Sequence, residues 1–167
     1  MSLSDYATRQ YDYLALQNTK PKGEAQLSLA LFSPTTSGKI TAGVQKLAQR
    51  WLLEFFTETG SMPGLPERGN TFIQTARVGG FRTELNVRTA FAAAGMTIGQ
   101  NLRAEEDDTM PPDERYGSAT LQSVAAIPGA AVNAKSGTTI VYLNMVVQLA
   151  SLAGDVYDLI VPVETLP

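Results

Sequence analysis

Residues 40–61 read ITAGVQKLAQRWLLEFFTETGS. Ile40, Val44, Leu47, Trp51 and Phe55 recur at intervals of 4, 3, 4 and 4, which is the period of one apolar helix face. Leu52 and Phe56 widen that face, while Gln45, Gln49 and Glu54 stand opposite. Gly60 is the expected C-cap. A helix this apolar must be covered. Trp51, the single tryptophan, is expected to anchor a core rather than a ligand, because it lies on the stripe. A loop of glycine and proline follows at once, GSMPGLPERGN over residues 60–70. Loops of this length in a compact domain usually carry function or are ordered by a partner, with a plain surface excursion as the equal alternative. This one is expected to be mobile until assembled, because glycine and proline offer few packing contacts.

Working outward, TFIQTARVGGF over residues 71–81 is expected to include a short extended segment. A second helix is predicted over residues 83–106, where Val87, Phe91, Ala94, Ile98 and Leu102 are again spaced 4, 3, 4 and 4. Its middle holds Gly95 and Gly99. Each costs about 1 kcal/mol relative to alanine, so another element is expected to pack closely there. Pro111 and Pro112 forbid continuation. The acidic run Glu105, Glu106, Asp107, Asp108 is read as a solvated helix end rather than a metal site, since consecutive side chains point in different directions. Three strands are predicted, over residues 118–127, 138–150 and 156–163. In the middle one Val141, Leu143, Met145, Val147 and Leu149 alternate with Ile140, Tyr142, Asn144, Val146 and Gln148. Pro162 marks the last strand, or its end, as a sheet edge, because proline lacks the donor a central strand needs. Upstream, residues 11–16 and 25–32 are short apolar runs joined by a turn-rich connector. They predict a β-hairpin or two extended arms.

The fold class is therefore α+β: two packed amphipathic helices against a small antiparallel sheet, with an amino-terminal hairpin or arm over residues 1–34 and a core domain over residues 35–167.

Composition narrows the function. The 167 residues contain no cysteine and no histidine. Disulfides, thiolate metal sites and histidine-based catalytic or zinc sites are thus excluded by inventory. No P-loop or dinucleotide fingerprint occurs, so neither cofactor nor metal is expected, and no catalysis. Net charge is −3 and charged residues make up only 17% of the chain. That is low, which hints that partners cover part of the surface. The charge is uneven: residues 1–82 carry nine Lys/Arg and six Asp/Glu, residues 83–167 four and ten. Basic residues do not cluster with aromatic ones, so nucleic acid is not an expected partner. No run has the length and purity of a membrane span, and MSLSDYATRQ lacks the layout of a signal peptide. The expectation is a cytosolic product, stable without oxidation.

The helix and loop together, with Ile40, Gly43, Leu47, Gln49, Arg50, Trp51, Gly60, Pro63 and Gly69 at the matching positions, resemble the baseplate sheath-initiator proteins of contractile-tailed phages. DERYGSATLQSVA and SLAGDVYDLIVPV are similar to that family's terminal sheet, so the resemblance spans about residues 35–163. It implies a structural virion protein of the tail baseplate that nucleates the sheath around the tube by sharing strands with sheath subunits. Implied partners are the tail sheath protein, baseplate wedge proteins and the tail tube protein, in a six-fold ring. The family's Glu-Pro-Arg element contacts the wedge. Pro66, Glu67 and Arg68 carry those residues in another order and are the corresponding docking candidates. The expected sheath-binding residues are Val156, Tyr157, Leu159, Ile160, Val161 and Val163, on the strand that Pro162 marks as an edge. A second reading is another tail part, such as a terminator or connector. A carboxylate-dependent hydrolase is the weakest, because nothing singles out a pair of carboxylates.

Overall fold

The computed structural model describes residues 9, 11–14, 16–18, 25–27, 40–131 and 139–165. Four short strands come first: β1 (Asp12–Tyr13), β2 (Leu16–Asn18), β3 (Ala25–Leu27) and β4 (Ile40–Thr41). Three helices follow, α1 (Gly43–Phe56), α2 (Phe72–Arg77) and α3 (Glu84–Glu105), then three long strands, β5 (Tyr116–Ala131), β6 (Thr139–Ser151) and β7 (Val156–Thr165). The fold is α+β. β5, β6 and β7 form an antiparallel meander, as their turn-rich connectors predict.

The apolar alternation of β6 faces the helices. Leu143, Met145, Val147 and Leu149 are buried, together with Leu159, Val161 and Val163 of β7. Helix α1 lies over β6 and β7, α2 over β7 and α3 beside β5. Trp51 is fully buried, and its ring stacks on Phe55 at 5.0 Å. Phe91 of α3 lies 6.0 Å from Trp51 and Phe72 of α2 lies 4.9 Å from Phe55, so one aromatic cluster ties the three helices together. Each such pair adds roughly 0.5–1.5 kcal/mol beyond its buried area.

Several boundaries depart from expectation. Ile40 is not on the helix: it pairs with Tyr13 in a two-stranded ribbon, and its side chain is exposed. Helix α1 ends at Phe56, not at Gly60. The Asn70 side chain returns across the loop and donates to the carbonyls of Glu54 and Phe55, at 3.0 Å each, while its Oδ1 accepts from the Phe72 N–H at 2.9 Å. One buried amide thus caps the end of α1 and the start of α2. Gly60 instead takes a left-handed turn, φ 83°. Residues 72–77 are helical where a strand was expected. Phe72, Ile73 and Ala76 are buried, and i, i+1 and i+4 share a helix face but not a strand face.

The sheet differs too. β7 is not an edge strand along its whole length. The order is β2-β3-β7-β6-β5, and β3 pairs parallel with β7 at Leu159 and Ile160. Pro162 lies just past that pairing, and among the described residues nothing pairs with β7 there on the β3 side. β2 and β3 form an antiparallel hairpin within the predicted amino-terminal one, and that hairpin extends the main sheet instead of standing apart. Expected positions 28–34 lie outside the described residues.

Candidate functional site

The sequence placed the interaction surface on β7 and on residues 66–68, and the structure divides these candidates. Leu159, Val161 and Val163 point into the core, so their side chains are unavailable to a partner. Tyr157 and Ile160 are half-buried, and Val156 is exposed at the β6–β7 turn. Ile160 also stands opposite Gln26 of β3.

The proline- and glycine-rich loop carries backbone hydrogen bonds of its own, while residues 60–67 are exposed and add little packing. Gly60 N–H donates to Pro66 O at 2.9 Å, Arg68 N–H to Leu65 O at 3.1 Å and Asn70 N–H to Thr57 O at 3.0 Å. Gly69 is required there. Its φ is 93°, and an added Cβ would lie 2.5 Å from the Thr57 carbonyl oxygen. Arg68 faces inward, paired with Glu54 of α1 and Glu105 of α3, and Asn101 donates to the other Glu54 oxygen at 3.2 Å. The hydrogen-bonded Arg68 guanidinium, helped by Arg50, holds Glu105 below the usual carboxylate range against partial burial. Of the three docking candidates, Pro66 and Glu67 remain exposed and Arg68 is partly buried in this pairing.

The acidic run does diverge. Glu105 meets Arg68 and Arg50, and Glu106 meets Arg50 and the Tyr116 N–H. Asp107 folds back on Thr109, and Asp108 reaches Arg115. A second ionic cluster, missed in the sequence, surrounds Glu114. Its carboxylate is 1% exposed and accepts from Lys46 at 2.8 Å and from the Gly43 N–H at 3.2 Å, with Arg9 at 3.5 Å. Neutralising this carboxylate by buried partners is what makes its burial tolerable.

Among the described residues the outer strands of the main sheet are β2 and β5, and β5 is the longer edge. Among the described residues, no strand pairs with it on the side away from β6. No charged residue occurs between Arg115 and Lys135, although edges are usually blunted with charge. Beside α3, side chains cap this edge. Arg103 Nη2 donates to the Gly117 carbonyl at 3.0 Å and Arg88 Nη1 to the Leu121 carbonyl at 3.2 Å. The Arg103 guanidinium also lies 5.1 Å above the Tyr116 ring, a cation–π distance. Burial pushes the Tyr116 hydroxyl above its ordinary pKa, while Arg103 and the Ala119 N–H bond pull the other way.

Between α3 and this edge runs a groove of about 470 Å³. Its helix side presents Ala92, Gly95, Met96 and Gly99. Gly99 has a structural reason: a Cβ there would come within 2.8 Å of the Tyr116 ring. Gly95 has none, because a Cβ there meets nothing within 4 Å. Beyond the helix, Gln122, Ser123, Ala125, Ala126 and Ile127 of β5 are exposed, and the edge continues without a cap among the described residues. The signal for this site was present as the uncharged run and the two glycines. What the sequence did not reveal is that α3 lies beside β5.

No family model matches the sequence, and the searches of curated proteins and of solved structures return no match.

Proposed function

We propose that the chain is a structural protein of a contractile phage tail baseplate, standing in a ring around the tube and starting the sheath by sharing strands with its first subunits. The observation that carries this reading is the uncharged, uncapped outer edge of β5 from Ser123 to Ile127, before Pro128 and the register shift that follows it. An exposed edge is a template for another chain. Strand addition gives affinity through main-chain hydrogen bonds alone, and repetition around a ring multiplies it. The role needs a rigid scaffold and an edge and no catalytic group. The resemblance supports the same reading, now with β5 in place of β7 as the shared strand. Baseplate wedge docking falls to the folded loop, through Pro66, Glu67 and the exposed Leu65.

The test is a pair of charges on the edge, Ala125→Lys with Ile127→Lys. Both positions are exposed, so folding should be unaffected by circular dichroism. Particles carrying the variant should show baseplate and tube with little polymerised sheath in electron micrographs. Normal sheath on such particles rejects the assignment of β5 as the junction.

A further inference from the structure

The groove between α3 and β5 is lined by positive charge within the acidic half of the chain, residues 83–167. Its lining includes Arg88 and Arg103 and no carboxylate, in a chain of net charge −3. Arg88 is partnered by Glu84 at 2.8 Å. Arg103 has only a carbonyl and a ring among the described residues. A guanidinium prefers a carboxylate, which it can grip with two parallel bonds, to a neutral carbonyl.

The dimensions suit an extended chain. Arg88 and Arg103 are 15 positions apart in the sequence, about 22 Å along a helix. The carbonyls they hold, on Gly117 and Leu121, are about 13 Å apart along a strand. The arginines therefore lean inward and bracket a space that fits roughly four to six residues of extended peptide. Gly95 opens that space. An interior helix glycine is destabilising relative to alanine, and this one relieves no clash within the fold. Met96 beside it is 70% exposed and supplies a soft, adaptable apolar surface.

We propose that this groove receives an extended apolar segment of a partner protein that bears a carboxylate, with Arg103 as the recognising group. In the unpartnered chain Arg103 and Arg88 shield the β5 edge by holding its carbonyls. An incoming carboxylate draws Arg103 away from the Gly117 carbonyl, and that carbonyl is then free to accept a main-chain N–H from the segment. The stretch from Gly117 to Leu121 is covered until the correct strand arrives, while the edge from Ser123 stays open. This inference rests on the strand-sharing reading above and adds the chemistry of the segment that is accepted.

The experiment uses the purified full chain and two synthetic peptides, acetyl-Thr-Val-Asp-Val-Thr-Val-amide and the same peptide with Asn for Asp. Amide shifts on titration should cluster at Gly95, Gly99, Gly117 and Leu121. The Asp peptide should bind roughly tenfold tighter, as expected for one charge-assisted bond, and Arg103→Gln should erase that difference. Gly95→Leu should fill the groove and abolish both sets of shifts while leaving the melting temperature unchanged or higher. The proposal is overturned by shifts that do not cluster, by equal affinity of the two peptides, or by unchanged binding to Gly95→Leu. Failure of the parent reading looks different: labelled chain would be missing from purified tails, whatever the peptides do.

Discussion

Gly60 and Gly69 show how one residue type serves two purposes in one loop. Both have positive φ, which an L side chain adopts at a cost. Gly60 faces open space, whereas Gly69 sits against the Thr57 and Glu58 backbone. Alanine at either position should cost roughly 1–3 kcal/mol in backbone strain, and at Gly69 it adds a clash that no side-chain rotation relieves. Urea unfolding of Gly60→Ala and Gly69→Ala should therefore rank Gly69→Ala as clearly the worse, and equal losses would mean that the Cβ clash is absorbed by the loop. The same contrast explains what the sequence could reveal. Gly60 and Gly69 stood out as punctuation, but whether each is needed for φ or for space depends on neighbours distant in sequence. Gly43 has both reasons, a φ of 64° and Asp113 Oδ2 at 2.9 Å from an added Cβ. Of the positions that carry the family resemblance, Leu47, Trp51 and Gly69 are accounted for by folding.

Among the elements, α1 and α3 were legible because an uninterrupted 3.6-residue period needs no tertiary information. Thr83 even closes α3 with a capping box that pairs it with Asn86. The short α2 was not legible, since six residues make under two turns and its helicity depends on the Asn70 cap and on burial against β7. The role of β7 was misjudged for a related reason. Pro162 signals a missing donor, but nothing local announces that β3 will pair with the neighbouring residues. Within α1, Trp51→Ala should cost roughly 3–5 kcal/mol, because it empties the centre of the aromatic cluster and loses the stack on Phe55. A midpoint shift in guanidinium smaller than 1 kcal/mol equivalent would count against Trp51 as the common anchor. The groove beside β5 was hidden at this scale, because a helix's period says which face is apolar and not which strand it meets.

For the molecule as a whole, acid sensitivity follows from the ion pairs that join its parts. Arg68 links the loop to α1 and α3 through Glu54 and Glu105, and Glu105 is held below its ordinary value of 4.5. A carboxyl with a depressed folded-state pKa stabilises the fold above its unfolded pKa, and that contribution is lost as pH falls through the folded value. Glu105 is partly exposed, so screening reduces the effect. Arg68→Gln should lower the melting temperature at pH 6 and change it less at a pH low enough to protonate Glu105 in both proteins. An equal loss at both values would assign the effect to packing instead. The sheet has a different bearing on how the molecule is made. Ala25 of β3 pairs with Leu159 of β7, so a ribosome releases one partner 134 residues (159 less 25) before the other exists. The aligned side of β7 can be closed only after nearly all of this sequence has been translated. A stalled or shortened translation product then exposes both a long apolar hairpin and an unmet amino-terminal strand, the combination that invites one chain to complete another. For a protein proposed to work by completing its neighbours, the timing of synthesis separates folding within the chain from assembly between chains.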